Sequence, residues 1–515
     1  MARRRTPLAT LLTMLVALAL VACGGTAATP SPIAMATTAA SVAPSSAPTS
    51  APAIAPTAGA TVAAQATGVP TAARTATAPS SANATATRAS APASATPATR
   101  TPGTPVAGPG GTVTATYVLP DLPIAGVQNA ALPGSVINDR KLLLGGIGSD
   151  LWHGPTDAPN EFWMITDRGP NGQIKVGDIN RRTFPIPEFD PLIIRVRVEA
   201  GAITILQTLP IVGQSGRPVT GLPNLDRDEP PFDYSAQAPL ALNPNGLDTE
   251  GLVRDAAGNF WVVDEYGPSL LKIDATGKVI KRWIPEGIAL AGTDYPVAAT
   301  LPAIYGKRKI NRGFEGVGLS PDGKFLAIVL QSPLLNPDAA TGNASRNTRV
   351  LLFDPQAERA IAEYAYRFEA AATFDPKAPK PDEMKLSSVV VLNATTLLIE
   401  ERTDNVARLY RCDFSAATNL LGTKWDDAAT APALEATDNL PGAGVTPLSK
   451  VLAVDLAAIA GVPGKIEGVA VLDRNTIAIA NDNDFDIGTF DQSGNNQGAG
   501  VKSQLLIIRL AQSLP

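Results

Sequence analysis

From residue 112 onward the apolar residues come in runs of four to seven, closed by Gly, Pro, Asn or Asp, and a 3.6-residue period is nearly absent. One unit recurs. Glu250-Gly251-Leu252-Val253 leads into a turn at 255–259, and Phe260-Trp261-Val262-Val263-Asp264-Glu265 follows. Two more runs, 270–274 and 279–284, complete four predicted strands joined by tight turns. Similar units stand at 315–353, 387–410 and 467–508, and a degenerate copy at 145–209 opens the series. Runs such as 325–330 lack the polar alternation of a half-solvated sheet, so both faces of these strands are predicted to be buried. The pattern predicts an all-β chain, a β-propeller of five or six four-stranded blades. Residues 114–119 offer the outer strand that the last unit lacks, and 212–247 or 285–311 leaves room for a sixth blade.

The charged residues fall at the strand ends. Antiparallel pairing puts the start of a unit's first strand and the end of its second at one end of the sheet. Glu250, Glu315 and Glu467 should therefore converge on one mouth of a central channel. Asp167, Asp264, Glu265, Glu400, Glu401, Asp482 and Asp484 join them there. So many carboxylates repel unless something positive lies between them. Ca²⁺ or Mg²⁺, hard and oxygen-seeking ions, fit that need, and Ca²⁺ is the expected cofactor. The expected metal ligands are Glu250, Asp264, Glu315, Glu401, Glu467, Asp482 and Asp484, with Glu250 or Glu265 as proton acceptor. Arg168, Arg312 and Arg402, beside Asp167, are the expected substrate-binding residues, because guanidinium groups hold anions bidentately.

Residues 1–22 read as an export signal. Arg3, Arg4 and Arg5 precede an apolar stretch over 8–20 that is too short to span a bilayer. The stretch ends in Leu20-Val21-Ala22-Cys23, which resembles the lipobox of bacterial lipoproteins and implies lipidation of Cys23. Residues 23–111 are almost entirely Ala, Thr, Pro, Ser and Gly. They cannot bury enough apolar surface to offset chain entropy, so a disordered tether is expected between the membrane and a domain at 112–515. The protein is thus expected outside the cytoplasm, held to a membrane through Cys23, and monomeric.

Composition closes other routes. The chain of 515 residues holds one His and two Cys, too few for a His/Cys zinc site once Cys23 is lipidated. A Ser-His-Asp triad would have to run through His153, and no Gly-x-Ser-x-Gly elbow occurs. A formal charge of −5 argues against a nucleic-acid surface. Cys412 is left without an intrachain disulfide partner.

Asp248-Thr249-Glu250-Gly251-Leu252-Val253 and Trp261-Val262-Val263-Asp264-Glu265-Tyr266-Gly267-Pro268 resemble the phytase-like family, described by the "esterase-like activity of phytase". Thr166-Asp167-Arg168-Gly169-Pro170-Asn171, Phe314-Glu315-Gly316 and Ile466-Glu467-Gly468 resemble it too. The resemblance covers about 140–510 and implies a secreted or surface-anchored propeller acting on a small anionic phosphoester or ester. One departure bears on phytate itself. The Asp-Asp-Pro-Ala-x-Trp stretch of β-propeller phytases has only Gly148-Ser149-Asp150-Leu151-Trp152 as its nearest counterpart. The leading expectation is a Ca²⁺-dependent hydrolase of phosphate esters or related esters. The alternatives are a non-catalytic propeller that binds a ligand or protein, and a lactonase-like metal propeller.

Overall fold

The computed structural model of the protein describes residues 109–515. The leader, Cys23 and nearly all of the tether lie outside the described residues. The first strand, Gly111–Val118, begins one residue inside the expected tether. Among the described residues no helix is long and apolar enough to cross a membrane.

Strands dominate, and they fall into five consecutive four-strand units. The first unit is Asp150–Trp152, Glu161–Ile165, Leu192–Glu199 and Ala202–Pro210. The second is Thr249–Arg254, Phe260–Asp264, Ser269–Ile273 and Val279–Pro285, with Val297–Leu301 added in parallel at its outer edge. The third is Phe314–Leu319, Leu326–Leu330, Asn347–Asp354 and Arg359–Arg367. The fourth is Lys385–Val391, Thr396–Arg402, Ala407–Asp413 and Ser449–Asp455. The fifth is Ile466–Asp473, Thr476–Asn481 and Gln504–Leu510, and Gly111–Val118 pairs antiparallel with its last strand. The first and fifth units also join through one parallel pair, Val118 with Ala202, so together they form an eight-stranded sheet.

The first strands of the five units touch in a closed ring. Five apolar cores lie between consecutive units. Trp163 and Val262 meet between the first and second, Trp261 and Ile328 between the second and third, and Val329 and Leu397 between the third and fourth. Leu398 and Ile477 meet between the fourth and fifth, and Ala478 and Phe162 close the fifth on the first. The unbroken apolar runs follow from this arrangement. Trp261 and Val263 point to one neighbouring unit, while Phe260 and Val262 point to the other.

The Gly of each Glu-Gly pair lets the inner strands approach closely. A Cβ on Gly316 would lie 2.1 Å from the Ser387 carbonyl oxygen, and one on Gly468 would lie 3.0 Å from Asp150. The segments considered for a sixth unit add no four-stranded sheet. Residues 212–247 contribute Pro231–Phe232 to a small sheet with Gly172–Val176 and Ile179–Thr183, and 285–311 contribute Val297–Leu301.

Two local features differ from the sequence pattern. The first inner strand is only Asp150–Trp152, shorter than the 145–151 run, because Gly146 takes a positive φ of 61° against the Phe485 ring. A helix, Ile124–Ala131, was not foreshadowed by periodicity. It buries Ile124 and Gln128, one turn apart, and the Gln128 amide donates to the Asp190 carbonyl oxygen at 2.7 Å.

Candidate functional site

Glu250, Glu315 and Glu467 occupy equivalent places for a backbone reason. In each inner strand the ladder slips at the Glu. Val263 pairs with Gly251 while Asp264 pairs with Thr249, which leaves Glu250 unpaired. Glu315 and Glu467 are skipped in the same way. A bulge of this kind re-aims one side chain without ending the strand. The fourth unit keeps the slip but places Ser387 and Ser388 in it.

The acids and bases at this end of the ring separate into two sides. On the acidic side Asp248, Glu250 and Glu265 are all buried, and each offers a carboxylate oxygen within 4.8 Å of the others. Asp248 precedes the inner strand, and the bulge at Glu250 brings the two carboxylates together at the same end of the ring. Arg168 Nη1 holds Asp248 Oδ2 at 3.0 Å and also donates to the Tyr266 hydroxyl at 3.4 Å. Glu265 Oε1, Glu315 Oε2 and Glu400 Oε1 are buried without a hydrogen-bond partner.

Burial, then Glu315 and Asp248, push the Glu250 and Glu265 carboxyls well above the usual range. Burial, then Asp482 and Asp248, do the same to Asp167. The donor set is oxygen only and crowded, with the Arg168–Asp248 ion pair as its one salt bridge among the described residues, which fits a hard divalent cation such as Ca²⁺.

On the basic side Arg402 is 1% exposed and fully engaged. Its Nε donates to Ser387 Oγ at 2.6 Å, and its Nη2 pairs with Glu467 and lies 3.6 Å from Glu315. Lys465 pairs with both Asp482 and Asp484. Arg312 Nη1 donates to Ser332 Oγ at 3.1 Å and forms no ion pair among the described residues.

The other expected ligands have separate places. Asp264 points away from the acidic trio. It accepts from Arg282 at 2.5 Å and Ser269 at 2.6 Å, and its Oδ1 accepts the Asp248 backbone N–H at 2.7 Å. It therefore braces Asp248, and burial lifts its carboxyl to about 6. Glu401 faces the outer part of its sheet, bound by Lys450 and the Tyr366 hydroxyl, each at 2.6 Å. Glu467, Asp482 and Asp484 belong to the Arg402 and Lys465 pairs. Asp167 accepts the Gly169 N–H at 2.8 Å beside Arg168.

Two residues outside the expected set belong to the site. Asp248 could have been found from its two-residue spacing to Glu250. Asp150 had no local signal beyond its single carboxylate. It accepts the Leu252 N–H at 2.9 Å and the Ser388 hydroxyl at 3.3 Å, and so ties three units together. At the opposite end of the ring a cavity of about 1180 Å³ runs up to Asp150, walled by Val389, Val469 and Leu319 and rimmed by the 255–258 and 320–323 turns. His153 also lines it, with Nδ1 2.9 Å from the Glu161 carbonyl oxygen.

The phytase-like family, described by "esterase-like activity of phytase", matches residues 143–485. An "Uncharacterized secreted protein" of Arthroderma benhamiae is 26% identical over 332 residues. That alignment covers 55% of this chain and 64% of the relative, less than two thirds of its length. Among solved structures, a luciferin-regenerating enzyme aligns with 72% of this chain and 94% of its own, at 10% identity and a TM-score of 0.32. A β-propeller domain from Myceliophteria thermophila covers 68% of this chain and 67% of its own, at 11% identity and a TM-score of 0.24.

Proposed function

The chain belongs to the phytase-like family, and from that premise we propose that it is a Ca²⁺-dependent hydrolase of phosphate esters or related esters, built on a five-bladed β-propeller. The observation that supports this most is the buried trio Asp248, Glu250 and Glu265, with oxygens within 4.8 Å of one another. These three would hold the cation, which when bound supplies charge neutralisation and Lewis-acid polarisation of an ester oxygen. Glu315 is the neighbouring carboxylate left with a bare Oε2, and it takes a proton from the attacking water. Arg168 orients Asp248 through their 3.0 Å ion pair. Tyr266 keeps Arg168 in place by donating its own hydroxyl to the Gly221 carbonyl oxygen at 2.9 Å. Placement outside the cytoplasm accords with the leader and with the secreted relative, and a lipid on Cys23 accords with the motif Leu20-Val21-Ala22-Cys23.

The test is turnover of p-nitrophenyl phosphate and p-nitrophenyl acetate by the full chain. The reading expects activity with Ca²⁺, its loss in chelator, and its return on adding Ca²⁺. Absence of turnover with both esters would favour the second reading, a binding propeller. The large cavity at the other end of the ring supports that alternative.

A further inference from the structure

The ring is tight at the level of the Glu-Gly pairs, where a Cβ on Gly251 would lie 2.9 Å from Gly316 Cα. Towards the opposite end the inner strands carry larger side chains, and these wall the cavity of about 1180 Å³ that runs up to Asp150. Leu252, Val317, Val389 and Val469, one from each of four units, supply its apolar wall, and the first unit adds the half-buried Trp152 ring. A cavity of this size and character takes a small organic molecule. At its inner end the Asp150 carboxylate is already occupied, by the Leu151 and Leu252 amides and the Ser388 hydroxyl.

The acidic side chains around the cavity are engaged in their own turns. Asp157 accepts the Gly154 N–H at 2.8 Å, and Asp473 accepts the Asn475 N–H at 2.6 Å. Asp255 accepts the Asn259 N–H at 2.9 Å and Trp261 Nε1 at 3.2 Å, while Asp322 pairs with Lys324 at 2.8 Å. The terminal residue, Pro515, is exposed at the rim. Arg254 lines the same cavity and differs from these acids. Its side chain forms no ion pair or hydrogen bond among the described residues, and its Nε is buried without a partner. The guanidinium carbon lies 5.1 Å from the Trp163 ring centroid and 5.7 Å from that of Phe260. Those rings hold the cation in place and leave its N–H donors unused. Arg195 lies over the same Trp163 ring but is paired with Glu161 at 2.6 Å.

We propose that this cavity is a second binding site, for an amphipathic anion: an aryl or alkyl carboxylate whose apolar body lies against the valine and leucine wall and whose head sits on Arg254. A guanidinium presents a planar fork of donors, which a carboxylate meets with two parallel bonds. Trp152 adds a surface on which an aryl body packs. A cationic ligand finds the side-chain carboxylates of the wall already engaged, and a neutral one leaves the Arg254 donors unused. The site lies at the opposite end of the ring from Asp248, Glu250 and Glu265 and does not rest on the hydrolase reading.

Three probes test this by calorimetry on the full chain in chelator: cinnamate, the neutral cinnamyl alcohol with the same body, and acetate with the same head. Cinnamate should bind more tightly than the alcohol, and acetate should give no signal. Arg254→Met should weaken cinnamate by roughly tenfold, the loss of one charge-assisted contact, and leave the alcohol unchanged. Misfolding would lower both, so the split reports the head contact alone. Arg254→Lys keeps the charge but not the fork and should fall between the parent and Arg254→Met; it carries the test where the methionine variant does not fold. Val471→Trp narrows the cavity from the fifth unit and should weaken both probes. Glu265→Gln, at the other end of the ring, should bind both like the parent. Absence of cinnamate binding overturns the proposal, as does equal cinnamate affinity in the parent and the Arg254 variants. Loss of cinnamate binding in Glu265→Gln also overturns it, by moving the ligand to the acidic mouth. Ester turnover, present or absent, leaves each of these outcomes unchanged.

Discussion

Ser388 donates its hydroxyl to Asp150 across the centre of the ring, 3.3 Å away and 238 residues apart in sequence. The two belong to the fourth and first units, which are not neighbours around the ring. With the Leu252 amide also on Asp150, one carboxylate joins three units beneath the acidic trio.

That carboxylate should leave a pH signature. Burial lifts Asp150 to about 7, against the opposing pull of the Leu252 and Leu151 amides. A carboxyl raised above its unfolded value contributes stability that is complete below about pH 4 and is lost as pH rises through 7. In chelator, the unfolding free energy should therefore fall between pH 4 and 7. Asp150→Asn, which cannot ionise, should show a flatter profile in denaturant titrations. Parallel profiles for parent and variant would assign the slope to other groups.

Calcium should stabilise the folded domain by mass action, by about 2.7 kcal/mol at one hundred times its dissociation constant. Glu265→Gln keeps the shape of a trio member but removes its charge, so the calcium-induced shift should shrink sharply. Asp322→Asn alters an exposed turn paired with Lys324 at the other end of the strand and should leave the shift intact. Thermal melts with and without Ca²⁺ read both, and equal shifts would rule out the trio as the ligand set.

Gly316 should tolerate no side chain. An alanine Cβ there would lie 2.1 Å from the Ser387 carbonyl oxygen, a backbone atom that can move only with its strand. Gly316→Ala should cost about 1–3 kcal/mol, the usual range for overpacking. Gly306→Ala, where nothing lies within 4 Å, is the control and should be close to neutral. Equilibrium denaturation compares the two. Equal costs would mean that the inner strands are not as tightly nested as the ring requires.

The lipid on Cys23 is testable by fractionation. Cys23→Ser should move the protein from the membrane fraction to the soluble one, because the acyl chains, not the domain, would supply the affinity. Unchanged partitioning of the variant would remove lipidation from the proposal.

The strand pattern was readable because burial on both faces is a local property. In Phe260–Asp264, adjacent residues enter opposite cores, so the whole run must be apolar up to its terminal acid. The Glu-Gly pairs were readable for a similar reason. A bulge that re-aims a Glu and a Gly that admits the next strand are both written in two consecutive residues. The helix Ile124–Ala131 was hidden because a helix of two turns with one apolar and one polar buried residue carries almost no period.

The roles of the individual charges were not local. Asp264 and Glu265 are adjacent, yet one reaches back to Arg282 and the other faces the mouth. Arg402 and Glu467 meet across 65 residues. By itself the sequence determined that the domain over 112–515 is built mostly of strands, that its units repeat, and that acids gather at one end of them, because period, turn chemistry and strand polarity act between near neighbours. Only the tertiary structure decided which acids are neutralised by Arg282, Arg402, Lys450 and Lys465 and which are left bare. That depends on side chains brought together by ring closure, and electrostatic energy follows distance in space and burial rather than separation along the chain.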